Sequence, residues 1–311
     1  MTSVKKTRNS TTMTDYEYND DKPEKLLTGY NTVRGAELRE VYQVLDQQGD
    51  VPASAFEQRF GRPNADSSNI NTAHVDRCLK FLRAIDMVEI SAQGVVSLTN
   101  RDVYPNIEAF EPRLLHHIRQ QQGEQYHLSY IFDVVVSLDR RRIPEEEVLE
   151  EVVSDDTRSF GFDWNDDNIR MWANLADPIG AISYLNRGDT NRVLVSPTRK
   201  LLVDLLLWYQ NNGDDPDRFA RALEWIHEEF FPVFREGAST TVSVGVADVL
   251  NDMEAEGALS LWPMSDTEDV VEVPRSSREG SRNVATFTVK GVPDRPSYQY
   301  PLARNEWRVD A

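Results

Sequence analysis

Apolar residues recur at helical spacing from the thirty-sixth residue onward. Leu38, Val41, Tyr42 and Leu45 fall on one side of a helix predicted over 36–48, and Gly49 and Asp50 stop it. Pro52 opens a short second helix through Phe56 and Phe60, with Gly61 behind it. Residues 61–70 are polar and predict a loop. Val75, Cys78, Leu79, Leu82 and Ile85 share one face of a third helix over 72–85. The period then changes. Val88 and Ile90, then Val95, Val96 and Leu98, flank Ser91-Ala92-Gln93-Gly94 and predict a hairpin. Ahead of all this, residues 1–34 are rich in Ser, Thr, Asn, Asp and Lys and predict a disordered polar tail.

The order of helix, helix, helix and hairpin in residues 35–104 resembles the winged helix-turn-helix family. Leu79, Leu82, Met87, Val88, Val95 and Leu98, followed by Thr99, carry the resemblance. In that family an apolar recognition helix runs straight into an apolar hairpin. The family usually has Gly before the first strand, where this chain has Asp86, a residue that tolerates the left-handed conformation.

The pattern returns twice. Over 105–212, helices are predicted at 113–122, 128–138, 144–153 and 165–175, the last with Ile169, Trp172 and Leu175 in register. Ala181, Ile182 and Tyr184 then face Val193, Leu194 and Val195 across Asn186-Arg187-Gly188-Asp189, a strong turn signal. A long apolar helix follows, predicted over 196–210 with Ser196-Pro197 as its cap. Over 213–311, helices at 217–231 and 246–255 precede Glu256-Gly257-Ala258-Leu259, which repeats the helix-to-strand step. A polar insert at 265–283 would be a long wing, or a loop of a different domain, before 284–289. The Pro-rich end at 293–301 is expected to be extended, with Trp307 docking it. The expected fold class is therefore mainly α with small β-hairpins (α+β), built as tandem winged-helix domains behind a polar tail.

Charge changes this picture. The chain has 311 residues, 52 acidic against 34 basic, for a net charge of −18. Only 7 of the basic residues are Lys against 27 Arg, and only Lys80, Lys200 and Lys290 lie beyond the tail. Excess carboxylate with scarce Lys resembles haloarchaeal proteins. At about 1 M salt the Debye length is near 3 Å, so repulsion between carboxylates is screened. The four segments 1–34, 35–104, 105–210 and 211–311 carry +1, −3, −7 and −9, so the first folded unit is the least acidic. No run of about 18 apolar residues occurs and the first residues lack an apolar signal core, so a cytoplasmic protein without a membrane span is expected.

Candidate chemistry is sparse. The single cysteine, Cys78, sits on an apolar helix face and reads as structural. The five histidines form no His-Glu-x-x-His pair, and no Walker loop, GxGxxG or Gly-x-Ser-x-Gly occurs. No enzyme, cofactor or metal site is expected. Basic clusters carry the functional reading. The outer face of the third helix offers Ala73, Arg77, Lys80 and Ala84, with His74 and Arg83 flanking and Arg59 and Arg62 before it. Small residues beside Arg and Lys suit a helix entering a major groove. Arg187 occupies the wing-tip position of the second unit. Double-stranded DNA is thus the expected partner of the first unit, in transcription control or as an accessory subunit of a DNA-processing or antiviral defence system. The alternative is a protein-interaction scaffold, with protein partners on the acidic second and third units. A homodimer is compatible with either.

Overall fold

The computed structural model describes residues 25–30, 33–63, 70–99, 105–155, 160, 162–187, 190–235, 237, 240–263, 269–275 and 280–291. Expectations for residues 1–24, the wing tip at 188–189, 293–301 and Trp307 lie outside them. The architecture mixes helices with small antiparallel sheets, as the α+β expectation has it. Among the described residues no helix is long and apolar enough to cross a membrane.

The same six-element order occurs three times. In the first unit, helix α2 (Gly35–Gln48) leads to strand β1 (Val51–Pro52), helix α3 (Ala53–Phe60), helix α4 (Ala73–Ala84) and the hairpin β4 (Val88–Ile90) and β5 (Val95–Leu98). The short strands β2 (Arg62–Pro63) and β3 (Ile70–Asn71) pair between α3 and α4, where a loop was expected. β5 is central, so Val96 lies opposite Val51 on one side and Ile90 on the other. Val75, Leu79, Leu82, Val88 and Val96 are buried, and Leu98 packs partly buried against the same core.

A short helix α1 (Leu26–Gly29) precedes this unit, and α5 (Phe110–Arg119) follows it. The second unit runs α6 (His127–Ser137), β6 (Arg142–Pro144), α7 (Glu145–Asp155), α8 (Asp166–Ala176), β7 (Ser183–Arg187) and β8 (Thr190–Leu194). Here Val193 lies between Ile143 and Tyr184, as Val96 lies between its partners. Sequence periodicity does not show β1 or β6. Both end in an apolar residue followed by proline, and proline pushes its predecessor into extended backbone. Proline donates no hydrogen bond, and both strands sit at sheet edges, where that loss is tolerated.

Helix α9 (Arg199–Asn212) begins later than the Ser196-Pro197 pair suggests. Thr198 is its N-cap, accepting from the Leu201 N–H at 3.3 Å. α9 also opens the third unit rather than closing the second. It is followed by an extended step at Arg218 that bridges to Thr286, then α10 (Phe219–Glu229), α11 (Val244–Ala255), β9 (Leu259–Trp262) and, after an insert, β12 (Thr286–Val289). The Gln210 side chain accepts from the Val289 N–H at 2.9 Å, and Trp208 stacks on Trp225 at 4.9 Å, fixing α9 to this unit. The expected polar insert contains a hairpin of its own, β10 (Val271–Pro274) with β11 (Ser281–Val284).

The third helix of each unit stops the same way. After α4, Asp86 and Met87 donate to Arg83 and Leu82 carbonyls at 3.0 and 2.9 Å. Gly180 and Ala181 do this after α8, and Gly257 and Ala258 after α11. This double closure requires a left-handed residue, and Asp86 supplies φ 60 where the other units have glycine at 78 and 77.

The polar-tail expectation fails from Lys25 onward. Leu26, Leu27, Tyr30 and Val33 are all buried. The Leu27 N–H donates to Nε2 of fully buried His127 at 2.9 Å, and Tyr30 meets Phe81 of α4 edge-on at 5.8 Å. This segment thus ties the first unit to the second. α5 ties all three. His117 donates from Nδ1 to the Ile85 carbonyl of the first unit at 2.9 Å, and Arg113 donates to the Thr99 carbonyl at 2.8 Å. His116, about 100° around the helix, reaches the Glu229 carbonyl of the third unit at 3.2 Å. The buried apolar residues form one continuous core.

Candidate nucleic-acid interface

Helix α4 carries two apolar sides and one polar row. Val75, Cys78, Leu79 and Leu82 pack into the first unit, and Phe81 packs under Tyr30. Burying each large apolar side chain contributes about 1.5–3 kcal/mol, which holds the helix orientation firmly. The row left over holds exposed Ala73 and Lys80 and half-buried Arg77 and Ala84.

The sequence-predicted residues divide into groups. Arg77 and Lys80 stand one turn apart on the outward row, with Arg83 half-buried in the last turn of α4. Lys80 pairs with Asp76 at 2.9 Å across one turn of the same helix, an exposed pair of the kind worth about 0.5 kcal/mol and easily exchanged for phosphate. His74 is half-buried and its Nε2 meets the Phe60 carbonyl at 2.9 Å, so it joins α4 to the end of α3. Arg59 lies 5.6 Å from the Phe60 ring centre. Arg62, on β2, pairs with Glu37 of α2. Arg59, Arg62 and His74 therefore surround one small cavity beside the N-terminal half of α4. Arg187 ends β7 in the second unit.

Negative groups also border this face. Burial raises the Glu57 carboxyl pKa, and Asp76 opposite raises it further. The hairpin beside α4 is short, and its tip residues Ala92 and Gln93 are exposed and uncharged.

The equivalent helices of the other units are chemically different. α8 begins with Asp166 and Asp167, capped by a reciprocal pair of bonds between Asn165 and Asn168. Its one basic residue, Arg170, is held by buried Glu145 at 2.8 Å. α11 presents Asp248, Asn251, Asp252 and Glu254. These meet arginines of this same chain. Asp248 binds Arg141 of the second unit, with one bond at 3.0 Å; Arg199 lies 3.4 Å from Asp252 and also pairs with Glu256; Arg282 pairs with Glu254 at 2.5 Å. The α11 N-terminus is capped from the second unit by Asp139, which accepts the Val244 N–H at 2.8 Å. The basic turn of the second unit is likewise paired within the chain, Arg140 with Glu147 and Arg141 with Asp248, at the surface.

Sequence reasoning missed Glu37 and Glu40, which line the cavity beside Arg62. Their three-residue spacing on α2 places them on one helix face, but nothing in the sequence aims that face at α4. Among the described residues no cluster of three or more His, Cys, Asp or Glu is arranged to hold a metal ion. No family model, no curated protein and no solved structure matches this chain.

Proposed function

We propose that the chain binds double-stranded DNA, as three tandem winged helix-turn-helix units of which the first is the reader. The repeated element order, with the last strand central in the three-stranded sheets of the first two units and β12 paired with β9 and bridged to Arg218 in the third, supports the winged-helix reading. One observation carries the DNA reading: of the three equivalent helices, α4 alone turns Arg and Lys outward beside small residues. Such a row suits major-groove entry, with Arg77 toward base edges and Lys80 toward phosphate. The second and third units would act as a rigid body behind it. The acidic, Lys-poor surface fits work in molar salt, as in an archaeal cytoplasm. Transcription control and an accessory role in DNA processing or defence are both settings for such a protein.

The test is fluorescence anisotropy with a duplex at several KCl concentrations. Binding whose log affinity falls linearly with log salt is expected. Absence of duplex binding at every salt concentration overturns the proposal and favours the scaffold reading. That second reading rests on exposed apolar side chains, Ile70 in the first unit and Val153, Leu185, Leu207 and Trp262 in the second and third, which suit a protein partner or a second copy. Sedimentation across a concentration series would distinguish a homodimer.

A further inference from the structure

The segment joining the second helix of a unit to the third is built differently in the first unit. In the third unit it turns Phe230, Val233 and Val242 into the core. In the second, Phe160 is buried, and Phe162 and Trp164 pack partly buried against the same core. In the first, it forms the ribbon of β2 and β3, and Arg62, Pro63, Ile70 and Asn71 are all exposed. Ile70 is 56% exposed, more than any other large apolar side chain among the described residues. The unit that turns its apolar residue outward here is also the one whose α4 turns Arg and Lys outward.

The ribbon is fixed to its neighbours. Arg62 lies opposite Asn71 and Pro63 opposite Ile70. Arg62 pairs with Glu37 of α2, and the Asn71 side chain accepts from the Ala73 N–H at 3.0 Å, joining the ribbon to the first turn of α4. Gly61 makes room for Ile70. Its φ of −57 suits any residue, but a β-carbon there would collide with Ile70 Cγ2 and the Glu57 carbonyl. Three extended residues span about 10 Å at most, which limits the distance from Ile70 to Ala73 at the head of the outward row. The helix from Ala73 to Arg77 adds about 6 Å, so Ile70 and Arg77 fall within about five base-pair steps of 3.4 Å. A major groove admits a helix or a two-stranded ribbon, and the apolar group it displays is the thymine 5-methyl.

We propose that the β2–β3 ribbon is a second DNA-reading element of the first unit, in which Ile70 packs on the 5-methyl group of a thymine within about five base pairs of the base that Arg77 contacts. This rests on the reading of α4 as the helix that enters the major groove. Ile70 then sets a preference for thymine that neither Arg77 nor Lys80 supplies, since both offer only hydrogen-bond donors and charge.

The experiment selects a preferred duplex from a random-sequence pool with the full chain, then replaces each thymine singly by deoxyuracil. That replacement keeps every hydrogen-bonding group of the base and removes only the methyl. One replacement should weaken binding about fourfold, the worth of one buried methyl group. Ile70→Ala should weaken the thymine duplex by at least that factor and bind the thymine and uracil duplexes alike, as a direct contact requires. Ile70→Val, which keeps a branched apolar end, should retain a preference for thymine. Leu185→Ala, which removes another exposed apolar side chain in the second unit, should leave the fourfold ratio unchanged. A selected duplex with no thymine in that interval, binding indifferent to every replacement, or a thymine preference that survives in Ile70→Ala overturns the proposal and leaves the reading of α4 standing. Failure of every duplex to bind overturns both, and assigns Ile70 to a protein-binding surface.

Discussion

The first and second units are built alike and charged unlike. Val96 and Val193 hold the same central place in their sheets, and α4 and α8 stop with the same double closure. Yet α4 turns Arg77 and Lys80 outward, whereas α8 turns out Asp166 and Asp167 and keeps Arg170 on Glu145. Apolar positions, which fix the architecture, agree between the two units. Polar positions, free of that constraint, have diverged. The third unit takes the divergence furthest, since the acids of α11 serve as internal docking groups for Arg141 and Arg199. Architecture alone therefore does not distinguish the units; the proposal that the first is the reader rests on its outward row.

The largest expected effect asks whether the units are separable. Trp172 of α8 is fully buried and meets Phe132 edge-on at 4.9 Å. Trp172→Ala should cost about 3–5 kcal/mol. Because α1 and α5 stitch the units into one core, that loss should lower the whole melting transition, the first unit included. Two resolved transitions in calorimetry, with only one moved, would show the units to be independent bodies.

A smaller effect tests the stitching by pH. Burial pushes His117 down to about 4, with neighbouring His116 adding to the fall. A histidine depressed in the folded state takes up its proton more readily when unfolded. Its stabilising contribution is complete above about pH 6.5 and is lost as pH falls toward 4, by about 3 kcal/mol at most. His117→Gln should flatten that part of the stability profile. A profile of unchanged slope between pH 6.5 and 4 would show that His117 is not held between α5 and the first unit.

Gly245 probes the opposite contact, between the second and third units. A β-carbon there would fall inside the van der Waals shell of the Val195 carbonyl. Gly245→Ala should cost about 1–3 kcal/mol through overpacking, although alanine favours helix in isolation. A variant more stable than the parent in urea titration would mean that α11 does not lie this close to the second sheet.

How much of this was legible follows from what each element depends on. α2, α4, α8 and the two short hairpins show in the sequence because their apolar periods are long or abrupt. The left-handed residue at Asp86 was legible from its place between helix and strand. β1 and β6 were hidden, because two- and three-residue edge strands ending in proline carry no period. α1 was hidden because Leu26, Leu27, Tyr30 and Val33 are four apolar residues in a polar stretch, ordered only by a groove that other units provide. The unit boundary at α9 was misread for the same reason: a helix uniformly rich in Leu does not say which neighbour it serves. At the site, Arg77 and Lys80 followed from helical spacing. Arg140, Arg141 and Arg199 carry the same charge in the sequence, and only tertiary structure pairs them with carboxylates.

That last difference gives the finest test of the comparison. Arg77 and Lys80 lie on the outward row of α4, Lys80 beside Asp76, whereas Arg140 and Arg141 pair with Glu147 of the second unit and Asp248 of the third. An arginine at a guanine edge is worth about 1–3 kcal/mol of discrimination, so Arg77→Ala should narrow the gap between preferred and random duplexes. Lys80→Ala should weaken all sequences alike and reduce the salt slope by roughly one unit, with little change in stability because its pair with Asp76 is exposed. Arg140→Ala, an equal loss of charge in the second unit, should leave duplex affinity nearly unchanged. If Arg140→Ala weakens binding as much as Lys80→Ala, DNA responds to the overall charge and not to the row on α4. If the double variant Arg77→Ala, Lys80→Ala binds like the parent, the first unit is not the reader, and the likeness between units extends to their lack of contact with DNA.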